Sequence, residues 1–129
     1  MAKALGIGGI FFRTEDPATL AEWYRKWLNF PASDGDYVPF RPTTVPKSGF
    51  TLWSPFAKDT DYFGNSKQTF MINIMVDDLD EALKQVEEGG AETMPNTEDY
   101  EYGRFGWFVD PSGNRVELWQ PPEETGQDE

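Results

Sequence analysis

The chain has neither cysteine nor histidine. The first absence excludes disulfides, thiolate catalysis and zinc–thiolate sites. The second removes the commonest general base and the commonest transition-metal ligand. Positive charge is also scarce: 11 Lys and Arg stand against 23 Asp and Glu, for a net charge of −12. Nothing offsets phosphate repulsion, so nucleic acid and anionic membranes are poor partners. A neutral or cationic small molecule suits this balance, although acidity by itself also serves solubility. No apolar run is long enough to span a bilayer. Met1-Ala2-Lys3 opens without the apolar core of a signal peptide, so the expected location is the cytoplasm.

What is present is an aromatic-rich chain of 129 residues, 16% of them Phe, Trp or Tyr. That length fits one domain or two small fused modules. Residues 104–121, RFGWFVDPSGNRVELWQP, read as two β-prone runs joined by a tight turn. Pro111 presets φ, Gly113 can take positive φ, and Asp110 and Asn114 can bond local amides. Alternation puts Val116 and Leu118 on one face of the second run. Arg115, Glu117 and Trp119 fall on the other. A carboxylate held there must be solvated, paired or bound to something.

Earlier in the chain, residues 5–14 alternate as a strand, with Gly8 and Gly9 inside it. Asp16 and Pro17 then open a helix as N-cap and first position. Leu20, Trp23, Tyr24, Trp27 and Leu28 form its apolar stripe. Short strands are expected at 36–41 and 49–53. Residues 55–67 have no period and carry Phe56, Tyr62 and Phe63, the pattern of a long binding loop or linker. A further strand is expected at 68–76. Asp78 with Glu81 makes a capping box for a second helix, which Gly89-Gly90 ends. A short strand follows at 91–94, then an acidic loop at 96–103. Strand, Asp cap, helix and three strands thus occur twice. The expected fold class is α+β. A first βαβββ module spans 1–56, a linker loop 57–67, a second βαβββ module 68–122, and a disordered acidic tail 123–129.

This arrangement resembles the vicinal oxygen chelate superfamily of glyoxalases, bleomycin-resistance proteins and extradiol dioxygenases. The matching residues are Ile7-Gly8-Gly9-Ile10, Asp16-Pro17, Trp23-Tyr24, Val76-Asp77-Asp78-Leu79 and the run from Phe108 to Leu118. The resemblance implies two modules with curled mixed sheets forming an open cleft, often as a homodimer. It also implies metal ligands at four cleft positions, which fall at Gly9, near Thr51, at Met71 and at Glu117. Only Glu117 can ligate firmly, and one carboxylate does not hold Zn²⁺, Ni²⁺ or Fe²⁺. The expectation is therefore a site with no metal and no cofactor.

Two functions stay open at this stage. One is a metal-free binding protein of the bleomycin-resistance type. It would take an aromatic or cationic ligand between walls drawn from Phe11, Trp53, Phe56, Tyr62, Phe63, Tyr102, Trp107 and Trp119. Glu117 with Asn73 or Gln68 would orient that ligand by hydrogen bonds, and Arg13 is counted among the residues that would touch it. The other is a glyoxalase-like lyase or isomerase with Glu117 as general base. A plainer reading pairs Glu117 with Arg13, Arg104 or Arg115 and leaves the rings to core packing.

Overall fold

A computed structural model describes residues 1–64 and 67–123. Two positions of the expected linker, 65 and 66, and the acidic tail beyond Glu123 lie outside the described residues. The architecture is α+β, with one open mixed sheet of five strands.

Helix α1 spans Pro17–Leu28. Its cap is the one the sequence implies. The Asp16 carboxylate accepts from the Thr19 backbone N–H at 3.1 Å and from the Thr19 hydroxyl at 2.7 Å. Asn29 ends the helix with φ of 54°, a left-handed conformation that Asn tolerates. Helix α2 spans Leu79–Glu88, and the Asp78 side chain accepts from Glu81 N–H.

Five strands follow one another in the second half of the chain. They are β1 (Asn73–Met75), β2 (Glu92–Thr93), β3 (Glu98–Tyr100), β4 (Gly103–Val109) and β5 (Arg115–Gln120). The order across the sheet is β1-β5-β4-β2, with β3 also paired to β4. β1 runs parallel to β5 and the other pairs are antiparallel. β5 is therefore central, with β1 on one side and β4 on the other. The β4–β5 turn forms as the sequence indicates. Asp110 accepts from the Ser112 and Asn114 backbone N–H groups, and Gly113 sits at φ of 87°.

The two helices pack on one face of the sheet. Phe108, Leu79, Leu118, Val86 and Val116 are fully buried there. Each contributes on the order of 1.5–3 kcal/mol by leaving water. Trp23 and Tyr24 of α1 reach the same core, Trp23 stacked on Phe108 at 6.0 Å. The Tyr24 hydroxyl donates to the Asp110 carboxylate at 2.8 Å. The α1 stripe is thus anchored to the β4–β5 turn and to α2.

The first half differs from the sequence expectation. Residues 5–14, 36–41 and 49–53 form no strands, and among the described residues that half supplies α1, a short 3₁₀ turn at Pro42–Thr44 and extended connections. Alternation marks a segment able to lie on a sheet, but a strand also needs a partner for its N–H and C=O groups. These segments have no such partner. Leu5, Phe11, Leu52 and Trp53 remain 73–96% exposed. Two smaller differences lie in the second half. The strand expected over 68–76 is confined to Asn73–Met75, and the loop expected at 96–103 contains β3.

Candidate functional site

The site is built around β5. Register places Glu117 opposite Trp107 on β4 and opposite Asn73 on β1. All three point away from the helices. Glu117 is buried, at 7% exposure, yet its partners are neutral. Its Oε1 accepts from Asn73 Nδ2 at 2.6 Å. Its Oε2 accepts from Trp107 Nε1 at 2.9 Å and from the Tyr62 hydroxyl. An ionised carboxylate offers about four acceptor positions. Three are occupied, which compensates much of the cost of burying the charge.

Tyr62 comes from a different kind of segment. It lies on the connection before β1, in a run held by local turns. Thr60 N–H donates to Ala57 C=O, Tyr62 N–H to the Thr60 hydroxyl, and Gly64 N–H to Asp61 C=O. Its ring stacks on Phe56 at 5.4 Å and meets Trp107 edge-on at 6.1 Å. Phe63 also contacts Phe56, with ring centroids 5.3 Å apart. Burial first, then the Glu117 hydrogen bond and charge, push the Tyr62 phenol well above its ordinary value. It stays protonated, and so remains a donor, through neutral and moderately alkaline pH.

Arg115 closes one flank. Its guanidinium carbon lies 5.4 Å over the Trp107 ring. Among the described residues its buried Nε has no hydrogen-bond partner. Gly64, at φ of 75°, passes so close that a Cβ there would meet the Arg115 side chain at 2.9 Å. Glycine is needed at this crossing both for its φ and for lack of room. The structure places Gln68 against the backbone of Arg115. Its amide donates to the Arg115 C=O and accepts from the Arg115 N–H, extending the β1–β5 pairing by one residue with a side chain.

A second aromatic group continues along the same face. Trp119 stacks on Phe105 at 6.1 Å, packs with Phe50 at 5.0 Å, and donates from Nε1 to the Tyr102 C=O. Tyr102 stacks on Tyr100. The segment carrying Gly49 crosses Met75 of β1 closely enough that a Cβ would meet its sulfur at 2.8 Å. The face expected to be an open cleft is therefore partly covered by Gly49, Phe50, Tyr62 and Gly64 of the same chain.

The structure brings Glu117, Tyr62, Asn73, Trp107, Phe56 and Phe63 together. It places Trp119 and Tyr102 further along the same face. Phe11, Arg13 and Trp53 are exposed, and among the described residues none joins the hydrogen bonds or ring contacts of the Glu117 cluster. Trp53 instead lines a shallow groove with Leu5, Ile7 and Thr51. The plainer pairing of Glu117 with an arginine does not occur. Arg104 makes its ion pairs with Asp80 and Asp99 at 3.1 and 3.0 Å. The Arg115 side chain over Trp107, the flanking Phe105 and Phe50, and the Tyr24–Asp110 bond were missed from sequence. For Arg115 the signal existed: it shares strand parity with Glu117 and Trp119.

The sequence profile described as "Glyoxalase-like domain" matches residues 9–119. The chain belongs to that family. It is thereby a member of the vicinal oxygen chelate superfamily. No curated protein matches it. A crystal structure of a glyoxalase/bleomycin resistance protein/dioxygenase superfamily member from Sphaerobacter thermophilus DSM 20745 is similar at 34% identity. That match covers 38% of this chain and 40% of that one, with a TM-score of 0.34. TnmS3, an antibiotic binding protein from Streptomyces sp. CB03234, is similar at 18% identity over 84% of this chain and 89% of that chain, with a TM-score of 0.48. A glyoxylase/bleomycin resistance protein/dioxygenase domain from Frankia sp. EAN1pec is similar at 17% identity over 82% and 84%, with a TM-score of 0.45.

The resemblance to metal-dependent members implies a metal, and among the described residues the donor set of this glyoxalase-like domain does not fit one. Among the described residues no group of three or more acidic side chains could hold an ion. The carboxylate at Glu117 faces the N–H and O–H groups of Asn73, Trp107 and Tyr62, which donate rather than ligate. No described helix is long and apolar enough to cross a membrane.

Proposed function

We propose that this glyoxalase-like domain is a metal-independent binding protein for a small aromatic organic molecule, cationic ligands included. The ligand would lie on the sheet face that carries Glu117. One observation carries this reading: a buried carboxylate, satisfied by neutral donors and walled by Trp107, Tyr62 and Phe56. Apolar walls with a few fixed polar groups are what small-molecule sites present. Because its partners are uncharged, the Glu117 charge is not cancelled locally and would attract a cationic ring. The lyase or isomerase reading is less well supported. Three of about four acceptor positions on Glu117 are already engaged, which leaves little to take a proton from a substrate.

The two-module division at 1–56 and 68–122 belongs to the same proposal. Residues 5–12 and 50–53 expose a row of large apolar side chains, among them Leu5, Phe11, Leu52 and Trp53. Exposed apolar side chains of this kind suit a second copy of the chain, which fits a homodimer.

A thermal-shift screen of aromatic amines and uncharged aromatics tests the reading. A ligand that binds only the native state adds about 2.7 kcal/mol at a hundred times its Kd. Glu117→Gln should weaken cationic rings and spare uncharged rings that carry no hydrogen-bond donor. Equal loss of both classes removes the counter-charge role, and no stabilising compound removes the binding reading.

A further inference from the structure

The three donors on Glu117 are not equivalent. Asn73 and Trp107 stand on strands, opposite Glu117 in register, and their positions are fixed by the sheet. Tyr62 stands on a connection whose described hydrogen bonds in this stretch are local turns. Among the described residues, the Tyr62 side chain itself meets the sheet through its hydroxyl on Glu117 and its ring edge on Trp107, while Gly64 next along packs on the Arg115 side chain. Tyr62 is partly exposed, whereas Glu117 and Trp107 beneath it are buried. Phe56 completes a slot whose two walls lie within ring-contact distance of the Tyr62 ring, at 5.4 and 6.1 Å.

Taken as chemistry, this is a bound ligand that happens to be attached to the chain. It is a flat ring between a stacking wall and an edge-on wall, with an O–H donating to a buried carboxylate. We propose that Tyr62 holds the ligand's place, and that the ligand is a phenol-like molecule, an aromatic ring bearing a hydrogen-bond donor, which displaces it. The inference rests on the binding reading above and narrows it. The ring supplies burial against Phe56 and Trp107. The donor group replaces the Tyr62 hydroxyl, so Glu117 keeps a third donor beside Asn73 and Trp107. A ring without a donor displaces Tyr62 only by leaving that acceptor unmet, and it is selected against for that reason. Tyr62 then acts as an internal competitor. It lowers apparent affinity by the fraction of molecules in which the slot is filled.

The test uses phenol and anisole, which differ in the donor alone. Each is titrated into the ¹⁵N-labelled full chain while the Trp107 indole N–H resonance is followed, with Trp107→Phe serving to assign it. The expected result is that phenol binds the Tyr62→Ala variant about tenfold more tightly than wild type, the order set by one hydrogen bond to a charged acceptor. Anisole should bind that variant at least about tenfold more weakly than phenol, on the same grounds. Should Tyr62→Ala fail to fold, Tyr62→Phe keeps the ring and frees the acceptor. Phenol should then gain over wild type, and anisole should not. Equal affinity of the two probes, or no gain on removing the Tyr62 hydroxyl, overturns the proposal and leaves aromatic binding standing. Absence of binding by either probe in every variant overturns the binding reading as well.

Discussion

Asn73 and Glu117 are register partners across the parallel β1–β5 pair, and the Asn73 amide donates to the Glu117 carboxylate at 2.6 Å. A neutral side chain holds a buried charge in this position, and replacing Asn73 by Asp would set two carboxylates face to face. Asn73→Asp should cost about 2 kcal/mol or more at pH 7, from like-charge repulsion in a partly buried site. One carboxyl of the pair then titrates above its unfolded value of about 4. The penalty should accordingly shrink as pH falls through the folded value, and grow as pH rises from 4 toward 7. Urea unfolding of both proteins at pH 4.5 and 7 measures this. A pH-independent difference would show that the carboxylates do not interact.

Tyr24 is raised far above its ordinary value of 10.0, by burial first and then by the Asp110 charge and hydrogen bond. A raised folded value means the protonated form is favoured by folding. The stability it confers is therefore complete below about pH 10 and is lost as pH rises above it. Tyr24→Phe should cost about 1–3 kcal/mol at pH 7, because Asp110 loses a buried donor. It should also flatten the fall in stability between pH 10 and 11.5. Chemical denaturation across that range supplies the slope.

Gly103 opens β4 at φ of 130°, where a Cβ would lie 2.3 Å from Trp119 Nε1 and 2.5 Å from the Gln120 carbonyl. Backbone strain and overlap act together there. Gly103→Ala should lose about 3 kcal/mol or more. It should also disturb the Trp119 indole hydrogen bond to Tyr102, visible as a shift of that indole N–H resonance. Gly113→Ala meets no neighbouring atom and is strained only through its φ of 87°, so it should cost less.

Chelation provides a further check. A native-state metal at a hundredfold excess over its Kd would contribute about 2.7 kcal/mol, several degrees of Tm in a domain of this size. Dialysis against EDTA should leave the Tm unchanged. A drop of several degrees would identify a metal site that the donors around Glu117 do not suggest.

Much of the second half is legible in the sequence because its signals are local and mutually consistent. Asp78 names the start of α2 by its chemistry, as Asp16 does for α1 in the first half. Pro111 and Gly113 name the turn, and strand parity puts Val116 and Leu118 against the helices with Glu117 on the far side. The first half misleads for a physical reason. Residues 5–14 alternate as convincingly as 104–109, but alternation reports which side of a sheet a residue would occupy, not whether a partner strand exists to pair with it. The aromatic count was equally indifferent to place: it put Phe11 and Trp53 with Tyr62, yet only Tyr62 reaches the carboxylate.

By itself, the sequence determined the caps, the hairpin and the face on which Glu117 stands, since each follows from dihedral preference or from a period of two. The tertiary structure alone decided its partners. Asn73 meets Glu117 through the register of a parallel pair, where a slip of one residue would turn it to the opposite face. Tyr62 arrives from 55 residues away on a connection with no period. Contacts of that kind depend on how distant segments pack, and no local preference encodes them.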